Sequence, residues 1–379
     1  MSLAIAVGWI LIGAALLGAC YALAAAAAVE RFFVRPLKPT GDFPSVTLLK
    51  PLHGAEPLLA ETLEGFCRQD YPAPVQIVFG VQGDDDAAIP IVKELIARHP
   101  EIDIALAISP RRELANPKIS NLIGMMPQAK HDLLVLSDSD IGVTPDYLRK
   151  VASALAEPGV GAVTCVYRGH AAGGLWSRLA VMGIDYQFLP SVIFGTALGL
   201  AKPCFGSTIA LRRSVLNEIG GFVAFQDRLA DDYEIGNAVR AKGYKVALPP
   251  FAVTHNCSEQ DAAGLFRHEL RWARTIRSVD GWGFAGSIIT HALPLALIGA
   301  SLLHFRRPAL VAFLLVLVAR LMLKLRIDHM LGRPGPSSLL IPLRDVLSFA
   351  VFLGSFFTRQ VDWRGSRYRV HEDGQLARE

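Results

Sequence analysis

The chain has 379 residues, 52% of them hydrophobic and 19% charged, with a formal net charge of +4. So apolar a composition excludes an ordinary water-soluble enzyme and requires membrane segments. The small net charge and the lack of a compact Lys/Arg run argue against a nucleic-acid surface. The five scattered cysteines, with no C-x-x-C spacing, argue against a disulfide framework or a zinc site.

Ser2 to Val29 carries no charge and as a helix would reach about 40 Å, beyond the ~30 Å of a hydrocarbon core. It reads as an uncleaved anchor rather than a signal peptide, because Met1-Ser2-Leu3 is no basic leader and the run is too long. Arg31, Arg35 and Lys38 follow at once, which predicts a cytosolic domain next. Pro36 to Pro44 reads as a linker. Strands then alternate with helices. Strand patterns cover Val46–Lys50, Val75–Val81, Ile102–Ile108 and Leu133–Ser137, and helix patterns cover Leu58–Phe66, Ile89–Ala97 and Lys118–Met126. Thr144-Pro145-Asp146 looks like a further helix start. This alternation predicts an α/β, Rossmann-like, mostly parallel sheet with ligands beyond the carboxyl ends of its strands.

The next part is less regular. Val160–Tyr167 reads as one strand. Leu175–Ile193, broken by Pro190, reads as a core helix, with an interfacial segment lining a lipid path as the alternative. A strand at Gly206–Leu211, a helix from Asp231 to Arg240, a strand at Tyr244–Leu248 and a helix at Leu265–Ile276 follow. Three apolar stretches close the chain: Phe284–Leu303, Pro308–Leu323 with Arg320, and Leu339–Phe357 with Arg344 and Asp345. Three spans would leave the tail outside, yet Arg359, Arg364, Arg367 and Arg369 favour the cytosolic side, so one stretch is expected to be re-entrant or interfacial. The resulting division is an anchor (1–30), a cytosolic catalytic domain (40–280), C-terminal membrane segments (281–360) and a basic tail (361–379).

Three acidic clusters sit where chemistry is expected. Asp84-Asp85-Asp86 follows the second strand. Asp138 and Asp140 follow the fourth, spaced i, i+2 so that an extended chain points both to one side. Asp231-Asp232 opens a helix. A departing diphosphate needs a metal and cationic donors, which suits the first two clusters. An acceptor hydroxyl needs a base, which suits Asp232, whose other reading is a helix cap. Arg271-Trp272 offers a planar cation for pyrophosphate and a ring for an acceptor pocket, or else an interfacial belt.

Lys50-Pro51-Leu52-His53-Gly54, Gln69-Asp70-Tyr71-Pro72, Gly80-Val81-Gln82, Asn116-Pro117-Lys118-Ile119, Asp138-Ser139, Asp232-Tyr233, Arg271-Trp272 and Trp363-Arg364-Gly365-x-Arg367-Tyr368-Arg369 occur in that order. In this series the chain resembles the ceramide glucosyltransferases and their bacterial relatives, among them those associated with hopanoid synthesis. These are membrane-bound inverting glycosyltransferases with a GT-A catalytic domain. The resemblance implies a pattern of D, D, D and (Q/R)-x-x-R-W. Asp138 takes the second acidic position and Asp232 the third, the base. Gly83 stands where the first falls, so Asp84 or Asp85 replaces it toward the nucleotide. His268 replaces the Gln or Arg before Arg271 and Trp272. Lys118 and Arg271 would neutralise phosphate, and Asp138, Asp140 and His255 would hold Mg2+ or Mn2+. The implied donor is UDP-glucose or UDP-N-acetylglucosamine. The implied acceptor is a membrane lipid, ceramide or a hopanoid, with a processive polysaccharide synthase as the third alternative. The expected location is a bacterial inner membrane.

Overall fold

The computed structural model describes residues 3–110 and 114–357 in full, and the backbone of 360–363, 366–370 and 376–378. Arg359 and the side chains of the expected Trp363–Arg369 motif lie outside the described residues. In chain order the elements are α1 (Leu3–Phe33), β1 (Val46–Pro51), α2 (Leu59–Cys67), β2 (Val75–Gln82), α3 (Ala88–Arg98), β3 (Asp103–Ser109), α4 (Pro117–Met125), β4 (Leu133–Leu136), β5 (Ile141–Gly142), α5 (Tyr147–Leu155), β6 (Val160–Thr164) and β7 (Val166–Ala171). Then come α6 (Gly174–Gly183), a π-helical turn (Ile184–Phe188), α7 (Leu189–Ala197), β8 (Ile209–Arg212), α8 (Arg213–Glu218), α9 (Asp231–Ala241), β9 (Lys245–Ala247) and β10 (Ala252–Cys257). The last are α10 (Ala262–Val279), α11 (Gly281–Gly286), α12 (Ala292–Leu302), α13 (Arg307–Met330) and α14 (Ile341–Gly354).

Two compact units result. One is formed by Arg35–Ala172, Lys202–Ser258 and Val370–Glu379, the other by Met1–Val34, Gly173–Ala201 and Glu259–Arg369. In the first, seven strands pair in the order β3-β2-β1-β4-β8-β6-β9. The first four are mutually parallel, and β8 runs antiparallel to both β4 and β6. The strands are mainly apolar because both faces are covered, and the buried Thr47 of β1 donates to Gln76 of β2 at 2.9 Å. Leu48, Phe79 and Val135 pack toward α2, α3 and α5 on one face. Leu49, Val78 and Leu134 pack toward α4, α8 and α9 on the other.

The expected single strand Val160–Tyr167 is two. β6 belongs to the large sheet, whereas β7 pairs with β10 in a second, three-stranded sheet, β5-β10-β7. The switch occurs at Cys165, which is buried and whose carbonyl accepts from the Ser207 hydroxyl at 2.8 Å. Both halves are apolar, so side-chain periodicity carries no mark of the change of partner.

The second unit is helical. α1, the run α6–α7 and α13 are long and apolar enough to cross a membrane, and α11 to α12, bent by 63°, adds a fourth if counted as one span. This corrects one expectation. The expected core helix at Leu175–Ile193 is instead part of this unit, with the Tyr21 hydroxyl of α1 bonded to Ser191 at 2.8 Å. The last apolar stretch yields only the 14 residues of α14, about 21 Å of helix and too short for a ~30 Å core. α1 and α12 approach through small residues: a Cβ on Gly8 would lie 2.9 Å from Leu303 Cγ, and one on Gly299 3.0 Å from the Gly8 carbonyl. Such surfaces let helix backbones close on one another in lipid.

Two charges of α13, Arg320 and Lys324, are buried. Arg320 makes two hydrogen bonds to Asp345 of α14, at 2.8 and 2.6 Å, and a third to the Tyr186 carbonyl at 3.1 Å. Tyr186 lies in the π-helical turn, where the altered hydrogen-bond register turns a backbone carbonyl to another partner. Its hydroxyl in turn donates to Asp328, which also pairs with Lys324.

Candidate active site

Parallel β1, β2 and β4 end at one edge of the large sheet. Because β8 runs antiparallel to β4, the turn before β8 lies beside the end of β4. There the Asp138 N–H donates to the Gly206 carbonyl at 2.9 Å. α4 begins at the same edge. Asn116 caps it by accepting from the Ile119 N–H, and Pro117 fills the first turn, where its fixed φ and missing donor cost nothing. The cap delivers Lys118, whose Nζ lies 2.6 Å from Asp138 Oδ1 and 3.6 Å from Asp231 Oδ2. Asn116 also donates to Asp231 Oδ1 at 3.0 Å.

Asp231 and Asp232 fill the first turn of α9, where the helix dipole favours negative charge. The N-cap position is Ala230, so neither aspartate is used as the cap. The Asp232 carboxylate accepts from the Gly206 N–H at 3.0 Å and from the Tyr233 N–H at 2.8 Å. Gly206 is required by space. A Cβ there would lie 2.3 Å from Asp138 Oδ2 and 2.4 Å from Lys118 Nζ.

Charge is concentrated and partly dehydrated here. Burial and then the neighbouring Asp231 push the Asp232 carboxyl up to about 6, against the pull of Lys118. Burial opposes the Lys118 ammonium, yet Asp138, Asp231 and Asp232 outweigh it and hold the group well above its ordinary range. Beneath the Asp138–Asp140 turn, Lys50 is wholly buried. Its ammonium donates to the Asp138 carbonyl, to the Ile141 carbonyl at 3.3 Å and to Ser137 Oγ at 3.4 Å, and lies 4.0 Å from the Phe66 ring centre. Burial lowers its pKa to about 7, with Asp140 and Asp138 opposing.

The other expected residues divide. Asp84 and Asp85 are exposed at the end of β2. Asp86 instead does structural work, accepting from the Gly54 and Ala88 N–H groups at 2.9 Å each. Asp140 Oδ2 and His255 Nδ1 are 3.4 Å apart, joined by β5–β10 pairing. The expected three-residue metal set does not assemble. Among the described residues no three His, Cys, Asp or Glu side chains form a metal-holding group, because the Asp138 carboxylate is turned to Lys118. His268, Arg271 and Trp272 lie on α10 of the helical unit. His268 Nδ1 is 2.7 Å from Glu259 Oε1 and its ring is 4.4 Å from that of Trp272. Sequence reasoning missed the parts played by Lys50, Asn116, Asp231 and Gly206. Lys50, a lone charge ending an apolar strand, and Asn116, an amide just before a proline that opens a helix pattern, carried usable signals.

The model of glycosyl transferase family 21 matches residues 10–376. The chain belongs to that family. Ceramide glucosyltransferase 1 of Caenorhabditis elegans is 25% identical over 239 residues, 63% of this chain and 51% of that one. An N-acetylglucosaminyltransferase of Rhizobium leguminosarum bv. viciae is 22% identical over 244 residues, 62% of this chain and 56% of that one. The family 21 chain thus spans about half the length of these relatives. Among solved structures, the mannosyltransferase PcManGT from Pyrobaculum calidifontis, in complex with GDP-Man and Mn2+, is 24% identical with a TM-score of 0.53, over 94% of this chain and 99% of that one. The fold is therefore the expected GT-A fold, accompanied by apolar helices.

Proposed function

We propose that this family 21 chain moves a hexose from a UDP-sugar to a lipid hydroxyl, with inversion, its catalytic unit facing the cytosol of a bacterial inner membrane. The observation that carries this reading is the Asp232 carboxylate, raised to about 6 and bound to the same Gly206 that closes on the Lys118–Asp138 pair. A carboxylate with that pKa is a competent base near neutral pH. The acceptor oxygen attacks the anomeric carbon, the bond from that carbon to the diphosphate oxygen breaks, and Asp232 takes the hydroxyl proton. Lys118 offsets charge on the leaving diphosphate, with Arg271 as a second cation. Asp84 or Asp85 meets the nucleotide.

Asp140 and His255 fit a divalent cation, Mg2+ or Mn2+, since a carboxylate and an imidazole side by side leave its other positions to diphosphate and water. When bound, such an ion stabilises the developing diphosphate charge. The carboxylate–imidazole pair favours Mn2+ of the two. The likeness to ceramide glucosyltransferase 1 supports UDP-glucose and ceramide. The likeness to an N-acetylglucosaminyltransferase supports a second reading, transfer of N-acetylglucosamine, for which the acceptor we propose is a polyhydroxylated hopanoid.

The test is a panel of ceramide and hopanoid polyols, each offered both donors with the purified full chain, and products weighed by mass spectrometry. One sugar on one lipid class is expected. UDP release with no glycolipid, or a polymer, would overturn the reading.

A further inference from the structure

α10 has two faces. Advancing about 100° per residue, Phe266, Glu269, Leu270, Ala273 and Arg277 fall on one side, and His268, Arg271 and Trp272 fall on the other. The first side packs against α14. A Cβ on Gly354 would touch Phe266 Cζ at 3.4 Å and Leu270 Cδ1 at 3.6 Å, Ala273 joins Val351 and Phe352 in a buried cluster, and Arg277 lies 5.4 Å from the Phe356 ring centre just past the helix end.

One contact in this seam is ionic and shielded. Arg344 Nη1 donates to Glu269 Oε1 at 2.6 Å and Nη2 to Oε2 at 3.0 Å, with side chains 5% and 13% exposed. Paired parallel bonds between a guanidinium and a carboxylate fix both distance and angle. Room for the fork comes from a third element. Gly183, the last residue of α6, has ordinary helical dihedrals, so glycine is not needed there for conformation and costs helix stability. A Cβ at Gly183 would lie 2.4 Å from Arg344 Nη2 and 3.2 Å from Glu269 Oε1. The missing side chain is the space the fork occupies.

We propose that α14 is a positioning element for transfer: the Arg344–Glu269 fork, seated on Gly183, sets the azimuth of α10 and hence the aim of His268, Arg271 and Trp272. The proposal rests on reading that outer face as part of the transfer machinery. Rotating α10 by one side chain's width swings Arg271 by more than 1 Å, and misplacement of that size costs about 100-fold in rate.

The experiment compares Arg344→Met, Arg344→Lys, Gly183→Ala and Arg271→Ala in the full chain. Turnover is measured with the donor and lipid selected by the acceptor panel, alongside melting in detergent. Arg344→Met is expected to lower kcat about 100-fold with donor KM within about twofold. Arg344→Lys, which keeps charge and one hydrogen bond, recovers part of that loss. Wild-type kcat in Arg344→Met overturns the proposal. So does equal loss in the Met and Lys variants with melting lowered in step, the pattern of a merely structural role. If Arg344→Met does not accumulate, Gly183→Ala decides by the same kcat criterion. Normal turnover in Arg271→Ala would sink the underlying reading of the face, whereas a dead Arg271→Ala beside a normal Arg344→Met sinks the positioning role alone.

Discussion

Gly206→Ala probes the site at its closest approach. The new Cβ would lie 2.3 Å from Asp138 Oδ2 and 2.4 Å from Lys118 Nζ, so each must retreat by about 1 Å to reach van der Waals contact. Asp138 is short and held by its backbone bond to the Gly206 carbonyl, so the long Lys118 chain gives way first. If the pair opens from 2.6 Å to about 4.6 Å, its Coulomb attraction at an effective dielectric of about 20 falls from roughly 6 to roughly 4 kcal/mol. Water reaching the half-exposed Asp138 screens part of this, leaving about 1 kcal/mol, and overpacking adds about 1–3 kcal/mol to the cost of folding. The expected outcome is a fall of several degrees in melting temperature and a kcat/KM at least about tenfold lower, since the displaced ammonium no longer meets the diphosphate. The assay pairs scanning fluorimetry with initial rates. Gly41→Ala serves as control, because a Cβ there meets nothing within 4 Å. A Gly206→Ala protein with wild-type kcat/KM would refute both the crowding and the role given to Lys118.

Asp232→Asn should abolish turnover while UDP still binds by calorimetry; near-normal turnover would remove the base assignment. With the Asp232 carboxyl raised to about 6, the base is ionised above that pH and protonated below it. kcat/KM should therefore fall as pH drops through about 6, and a profile flat to pH 5 would contradict this. EDTA should silence the enzyme and Mn2+ restore it, and His255→Ala should raise the Mn2+ needed for half-activity; activity indifferent to EDTA excludes the metal role. Lys50→Met leaves the Asp138 and Ile141 carbonyls without their buried donor, a loss of about 2–4 kcal/mol that denaturant unfolding would register.

The strand–helix alternation from Val46 to Leu136 was legible because each buried strand is a mainly apolar run and each helix has its own stripe. What escaped was whatever depends on partners far along the chain. Cys165 looks like any strand interior residue, yet the backbone changes sheets there. Asp231 and Asp232 are indistinguishable as letters, and only the fold gives one to Asn116 and Lys118 and the other to Gly206. Gly206 itself is silent in sequence, since its value is the absence of atoms beside residues 68 and 88 positions away. Asp138 and Asp140 point one way on an extended chain, but the tight turn after β4 sends the first to Lys118 and the second to His255.

The buried Arg320–Asp345 pair bears on how the protein is made. A charged residue entering a bilayer within a helix costs about 2.5–3.5 kcal/mol on insertion scales. Lys324 carries its own counter-charge four residues on, in Asp328. Arg320 does not: its partner is 25 residues later, on α14. Because translation runs from the amino end, Arg320 is made before Asp345, and α13 is expected to gain its counter-charge only once α14 has emerged. The helix too short to cross would then act as a late-arriving latch, and chains stopped before residue 341 are expected to be retained poorly by the membrane and cleared by quality-control proteases.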